Sequence, residues 1–112
     1  MKLPDSVLAI GEAAFSGCSS LKNIVIPKNV TSIGDNAFLG DHALSSVTLP
    51  DGLEAIGSQA FYGCSKLTQL SLPQTLTWIG DDAFSGCNQL TVSVFPGSYA
   101  EAYCIENGIR YK

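Results

Sequence analysis

The sequence predicts a repeat solenoid, a chain wound into stacked coils that carry parallel strands and closed at its C-terminal end by a helix. Three observations carry this expectation. Pro4, Pro27, Pro50, Pro73 and Pro96 each follow the last by 23 residues. Apolar and glycine columns keep the same step, among them Ile10, Ile33, Ile56 and Ile79, then Gly11, Gly34, Gly57 and Gly80. After Pro96 the spelling changes to a helix-start signal. Self-similarity at a fixed period of this size is the signature of units that cannot bury their apolar face alone and stack to do so.

Taken in chain order, Met1 and Leu3 occupy the places of the last two apolar strand residues, so the chain opens inside a repeat. An uncapped coil presents apolar surface and free strand edges, which invites pairing. The expectation is therefore a fragment of a longer array, or self-association through the N-terminal end. Next come the strands. In Leu67-x-x-Leu70-x-Leu72 the two later leucines are two apart and face inward, while Ser71 faces out. Ile24 with Ile26, and Val47 with Leu49, repeat the arrangement. These strands should stack in parallel at about 4.8 Å per coil. The proline after each has no N–H for a ladder, so it ends the pairing and starts the return path.

Glu12, Asp35, Ser58 and Asp81 follow the Ile-Gly pairs. They are expected to open a short helical turn that carries Ala and Phe inward. Gly17 and its equivalents suit a left-handed exit from that turn. The column Phe15, Phe38, Phe61, Phe84 is the predicted spine. Beyond it the pattern shifts. Val92 and Val94 stand where 93 and 95 would be apolar, so the last strand slips by one. Ser98 with Glu101 forms a capping box for a helix ending near Gly108, and Ile109-Arg110-Tyr111 could add an edge strand. The predicted organisation is one domain over 1–112, with about four repeats in 1–95 and a C-terminal cap in 96–112.

Composition narrows the function. Only 14% of the 112 residues are charged and the formal net charge is -4. Nucleic-acid binding needs a clustered basic face, and nothing basic lies between Lys66 and Arg110. No apolar run approaches a membrane span, so no membrane insertion is expected, and MKLPDSVLAIGE lacks the apolar stretch of a signal peptide. Either a signal has been removed or the chain is not exported.

Residues able to carry chemistry are few. Cys18, Cys64 and Cys87 share a column in which Asp41 fills the missing place, and Cys104 lies in the cap. Ligands repeating every 23 residues make a line, not a tetrahedron, and no C-x-x-C pair exists. Ladder side chains point in parallel, which disfavours a bridge between Cys64 and Cys87, so free buried thiols are expected. His42 has no nucleophile in a shared local motif. Glu12, Asp35, Asp81 and Asp82 form no calcium-loop pattern, and helix capping accounts for their column. Asn29-Val30-Thr31 is a glycosylation sequon in spelling only. No catalytic, metal or cofactor residue is predicted.

Two outward features remain as candidates for contact with another protein. Trp78 stands in the column Ala9, Ser32, Ala55, and Leu39 shares a further outward column with Tyr62. Exposed aromatics are typical interface anchors. On the strand side, Gln69, Ser71 and Thr48 belong to small polar columns, a surface suited to weak contacts multiplied by repeat number.

The unit L-x-x-L-x-L-P followed by x-x-[VL]-x-x-I-G-x-x-A-F-x-G-C resembles the leucine-rich repeats of the BspA-like surface proteins of gut and oral bacteria and some mucosal protozoa. The likeness spans nearly the whole chain and is specific, because ordinary leucine-rich repeats carry an Asn ladder where this one carries I-G-x-x-A-F. The segment Gly97 to Tyr103 also resembles the family's terminal segment. The resemblance implies a non-catalytic, extracellular or cell-surface role in adhesion or in binding a protein or host-surface ligand. The rival expectation is a stiff spacer that displays other domains and binds nothing.

Overall fold

The 23-residue period becomes physical as a coil that returns to the same place, one backbone spacing further along the axis. The computed structural model describes residues 1–112. Each coil contributes a three-residue strand and a two-residue strand. The longer ones are β2 (Asn23–Val25), β4 (Ser46–Thr48), β6 (Gln69–Ser71) and β8 (Thr91–Ser93). The shorter ones are β1 (Ala9–Ile10), β3 (Ser32–Ile33), β5 (Ala55–Ile56) and β7 (Trp78–Ile79), and one helix follows, α1 (Tyr99–Asn107). All pairings are parallel. The short strands form one continuous ladder, β1-β3-β5-β7, which the sequence had not announced.

Alternation decides what goes inside. Ile24, Val47, Leu70 and Val92 are buried at the centre of strands whose neighbours on either side point out. The final strand pairs Gln69 with Thr91, an offset one residue short of the period, so the predicted slip at Val92 is present. The row of long strands is interrupted in its hydrogen bonding. β2 pairs with β4 and β6 with β8, whereas β4 and β6 lie side by side without a ladder. Ile26 N–H donates to Thr48 O at 2.9 Å and Leu72 N–H to Ser93 O at 2.9 Å, but the equivalent N–H of Leu49 donates to no backbone carbonyl.

The segment expected to be a short helical turn is not helical. Ala13, Asn36, Gln59 and Asp82 hold φ of 55, 59, 57 and 57°. A left-handed residue cannot continue a right-handed helix. Released from an internal helix, alternate N–H groups reach the next coil and build a third ladder. Phe15 N–H donates to Ala37 O at 2.8 Å, Phe38 N–H to Ala60 O at 2.7 Å and Phe61 N–H to Ala83 O at 2.8 Å. Asp35 accordingly caps no helix of its own; its Oδ1 accepts from the N–H of Ser58 in the next coil at 2.8 Å. Gly40, at φ 75°, makes the predicted left-handed exit.

This third ladder carries the spine. The rings of Phe15, Phe38, Phe61 and Phe84 stack with centroids 5.4, 5.1 and 5.7 Å apart and planes within 8° of parallel. Phe38 and Phe61 are fully buried. The same spacing explains the glycine after each isoleucine. A Cβ on Gly34 would lie 2.7 Å from Glu12 N in the preceding coil, and one on Gly57 would overlap Asp35 N, while one on Gly11 would meet nothing.

The cap forms where the sequence placed it. Ser98 Oγ accepts from Glu101 N–H at 3.1 Å, and the Glu101 carboxylate accepts from Gly97 N–H at 3.0 Å. Gly108 closes the helix at φ 68°. The tail then returns as a last edge, with a parallel bridge between Val92 and Tyr111. At the other end the sheet begins with a parallel bridge from Lys2 to Val25.

Phe38→Ala should lose about 3–5 kcal/mol of unfolding free energy, measured by denaturant titration, because both ring faces lose their neighbours. Gly57→Ala should lose about 1–3 kcal/mol by forcing two backbones apart. Gly11→Ala should stay within about 0.5 kcal/mol of the parent, since the added methyl meets no atom. Equal losses at Gly11 and Gly57 would contradict the close-approach explanation.

Candidate functional site

The candidate contact residues distribute over all three ladders. Trp78 stands at the outward position of β7, in register with Ala55, Ser32 and Ala9, and is 57% exposed. Tyr62, 41% exposed, belongs to the phenylalanine ladder, where its carbonyl accepts from Gly40 N–H at 2.8 Å. Leu39, expected to face out beside it, is half-buried. Thr48, Gln69 and Ser71 lie on the long strands and are exposed. The structure thus brings these last three together and leaves Trp78 and Tyr62 on other ladders.

Thr48, Gln69 and Ser71 line a shallow cleft of about 350 Å³ at the unpaired junction of β4 and β6, with Ser46, Thr68 and Ser93 around them. No charged side chain lines it. Hydroxyl and amide groups, with the free N–H of Leu49, offer hydrogen bonds to neutral polar groups and nothing to an ion. A second cleft of similar size is more apolar. Leu49, Leu72, Pro73, Val94 and Phe95 line it, and Phe95 is half exposed.

The column of thiols is a packing device. All four cysteines are free, and Cys64, Cys87 and Cys104 are buried. The Cys64 thiol donates to Phe38 O at 3.3 Å and the Cys87 thiol to Phe61 O at 3.0 Å. The neighbouring Cys87 thiol, together with burial, holds Cys64 far above the ordinary thiol range. Burial, aided by the nearby charge of Glu101, pushes Cys104 up to about 11. Such groups are protonated at neutral pH and poor nucleophiles. The His42 ring is hydrogen-bonded to the Gly63 carbonyl through Nδ1 at 3.1 Å and remains exposed. No three His, Cys, Asp or Glu side chains converge into a metal-ligand set. Asp82 accepts from Ser85 Oγ at 3.1 Å, and Asn29 donates to Asp5 O at 3.1 Å.

Asp41 is the exception in that column. It is fully buried, its Oδ1 accepts from Cys18 N–H at 2.7 Å, and its Oδ2 has no partner. Burial raises its carboxyl above the usual range, opposed by the N–H groups of Cys18 and Gly17 and the charge of His42.

Two tyrosines of the cap have a role the sequence reading missed. Tyr99 Oη accepts from the N–H of Ile79 at 3.0 Å, and Tyr103 Oη donates to Gly80 O at 2.8 Å. They stand where a further coil would present backbone, so the last short strand ends satisfied. Their i, i+4 spacing, which places both on one helix face, was the available signal.

A three-sided parallel solenoid with an aromatic spine and outward polar strands defines the class as a leucine-rich-repeat solenoid. The model of the BspA type leucine rich repeat region matches residues 1–108 in six copies, and the chain belongs to that family. A leucine-rich repeat protein of Bacteroides ovatus is 43% identical, with a TM-score of 0.79 over 85% of this chain and 24% of that one. The T. pallidum leucine rich repeat protein TpLRR is 29% identical, with a TM-score of 0.62 over 83% of this chain and 57% of that one. A leucine rich cell surface protein of Faecalibacterium prausnitzii is 28% identical, with a TM-score of 0.63 over 94% of this chain and 34% of that one. The chain therefore spans between 24% and 57% of the length of these proteins. No protein of curated function matches it. No helix is long and apolar enough to cross a membrane.

Tyr99→Phe removes the acceptor for a part-buried N–H and should cost about 1–3 kcal/mol in denaturant titration. It should also speed amide exchange at Ile79 while the first coil exchanges as before. Unchanged exchange at Ile79 would show that the hydroxyl does not close the ladder.

Proposed function

We propose that this chain is a non-catalytic protein-binding module of a bacterial cell-surface protein, engaging a protein or host-surface ligand in an adhesive role. The observation that carries the reading is Trp78, a large aromatic held 57% exposed on the rigid short-strand ladder, where the three earlier coils place only Ala9, Ser32 and Ala55. A rigid aromatic loses little conformational freedom on contact and buries a large area, which is why such residues anchor interfaces. The uncharged strand surface around Thr48, Gln69 and Ser71 supports weak, neutral contacts that accumulate across repeats. The likeness to a leucine rich cell surface protein supports the location.

One observation favours the rival reading of a structural spacer: the candidate contact residues fall on three ladders, not on one concave site. Self-association has support at the N-terminal end. There Leu8 is 66% exposed, the outer side of the Phe15 ring lacks a stacking neighbour, and Gly11 keeps the clearance that elsewhere admits another coil's backbone.

Binding to immobilised extracellular-matrix or mucosal proteins should fall at least about tenfold on Trp78→Ser, the loss of one anchor worth about 1.4 kcal/mol or more. Tyr62→Ser reports whether the contact extends to the phenylalanine ladder. Parent and variant with the same thermal stability and no binding to any such protein would favour the spacer.

A further inference from the structure

Within the cysteine column, the thiols of Cys64 and Cys87 each donate to the carbonyl of the phenylalanine 26 residues earlier, Phe38 and Phe61. At the same offset from Phe15 stands Asp41, and the Cys18 N–H reaches both Asp41 Oδ1, at 2.7 Å, and the Phe15 carbonyl, at 3.2 Å, which places the carboxyl beside that carbonyl. A carboxylate has no proton to give, and Oδ2 of Asp41 is buried without a partner. Oδ1 is occupied by the Cys18 N–H. A neutral carboxylic acid satisfies both atoms at once, because one oxygen accepts while the other donates.

We propose that Asp41 is carried in the fold as a neutral acid whose Oδ2–H donates to the Phe15 carbonyl, making the junction between the first two coils a latch that protons close. The proton comes from solvent and returns to it; no other bond changes. On ionisation the donated hydrogen bond is lost, a carboxylate faces a carbonyl oxygen, and a charge is left in the core. The first coil is held to the second across this junction, by Cys18 N–H among others, so it is the part that loosens.

The groups facing Asp41 fix the direction. Cys18 lies on the coil before it, Cys64 on the coil after, and His42 beside it on the same turn. The charge of His42 and the N–H groups of Cys18 and Gly17 favour ionisation; burial opposes it and prevails. A carboxyl raised in the fold binds its proton more tightly there than in the unfolded chain. Its contribution is therefore full below the unfolded value of 3.8, falls as pH rises through the folded value, and is flat above it.

The test is carboxyl-carbon NMR of the wild-type chain across the acidic and neutral range, read together with amide exchange at Phe15 and Cys18 corrected for intrinsic base catalysis. The expected result is a midpoint for Asp41 above 3.8 and a loss of protection in the first coil that follows the same titration. Each unit of upward displacement corresponds to about a tenfold change in the opening equilibrium. Asp41→Asn keeps an acceptor for Cys18 and a donor for Phe15 without the titration. Its melting temperature should exceed that of the wild type by a margin that grows from acid to neutral pH. A midpoint at or below 3.8, or protection in the first coil that ignores the titration, overturns the latch. Both readouts come from the wild type, so they decide the matter even if Asp41→Asn folds poorly.

Discussion

The structure depends on one constraint: successive coils approach to backbone hydrogen-bonding distance on three sides at once. A backbone that hands its N–H groups to the next coil leaves few of them unpaired in the interior, where an orphaned polar group is costly. The same closeness sets the phenylalanine rings 5.1 to 5.7 Å apart, within stacking range. It also removes the room for a Cβ after each inner isoleucine, so glycine there answers to its neighbour's backbone and not to its own φ. Side-chain choice in the core is largely a consequence of that spacing.

A stack held this way has two ends, and they are handled differently. At the C-terminal end the chain departs from the repeat and folds a helix whose tyrosine hydroxyls substitute for the missing coil's backbone. The helix thus does chemical as well as steric work, satisfying polar groups and covering apolar ones. At the N-terminal end the first coil pairs with the second through β1 and β3 and through the bridge from Lys2 to Val25. There Leu8 is exposed and Phe15 half-buried, whereas Phe38 and Phe61 of the next two coils are fully buried. Asp41 sits at the junction between the first two coils, where its Oδ1 accepts from Cys18 N–H.

The surface carries whatever recognition the chain performs. Small polar residues on the long strands hydrate well, so exchanging water for a partner's hydrogen bond gains each of them little, while Trp78 is the large exception on the short-strand ladder. The gap in pairing between β4 and β6 adds unpaired backbone at the centre of the polar face. These features suit contacts that are individually weak and laterally extended.

What the sequence determined by itself was whatever repeats or stands alone as a local signal. The period gave the coil, the alternation at Ile24, Val47 and Leu70 gave the inward faces, and Ser98, Glu101 and Gly108 gave the cap helix. The outward direction of Trp78 and Tyr62 followed from the columns as well. Only the tertiary structure decided the rest. The I-G-x-x-A-F block was spelled like a helix start, yet its third ladder exists because left-handed residues at Ala13, Asn36, Gln59 and Asp82 turn N–H groups toward a neighbour that local propensity cannot sense. The half-burial of Leu39, the break beside Leu49 and the hydroxyl bonds of Tyr99 and Tyr103 likewise arise between coils. Period and propensity report what a segment does alone or in every copy, whereas these features depend on which atoms a particular neighbour places within reach.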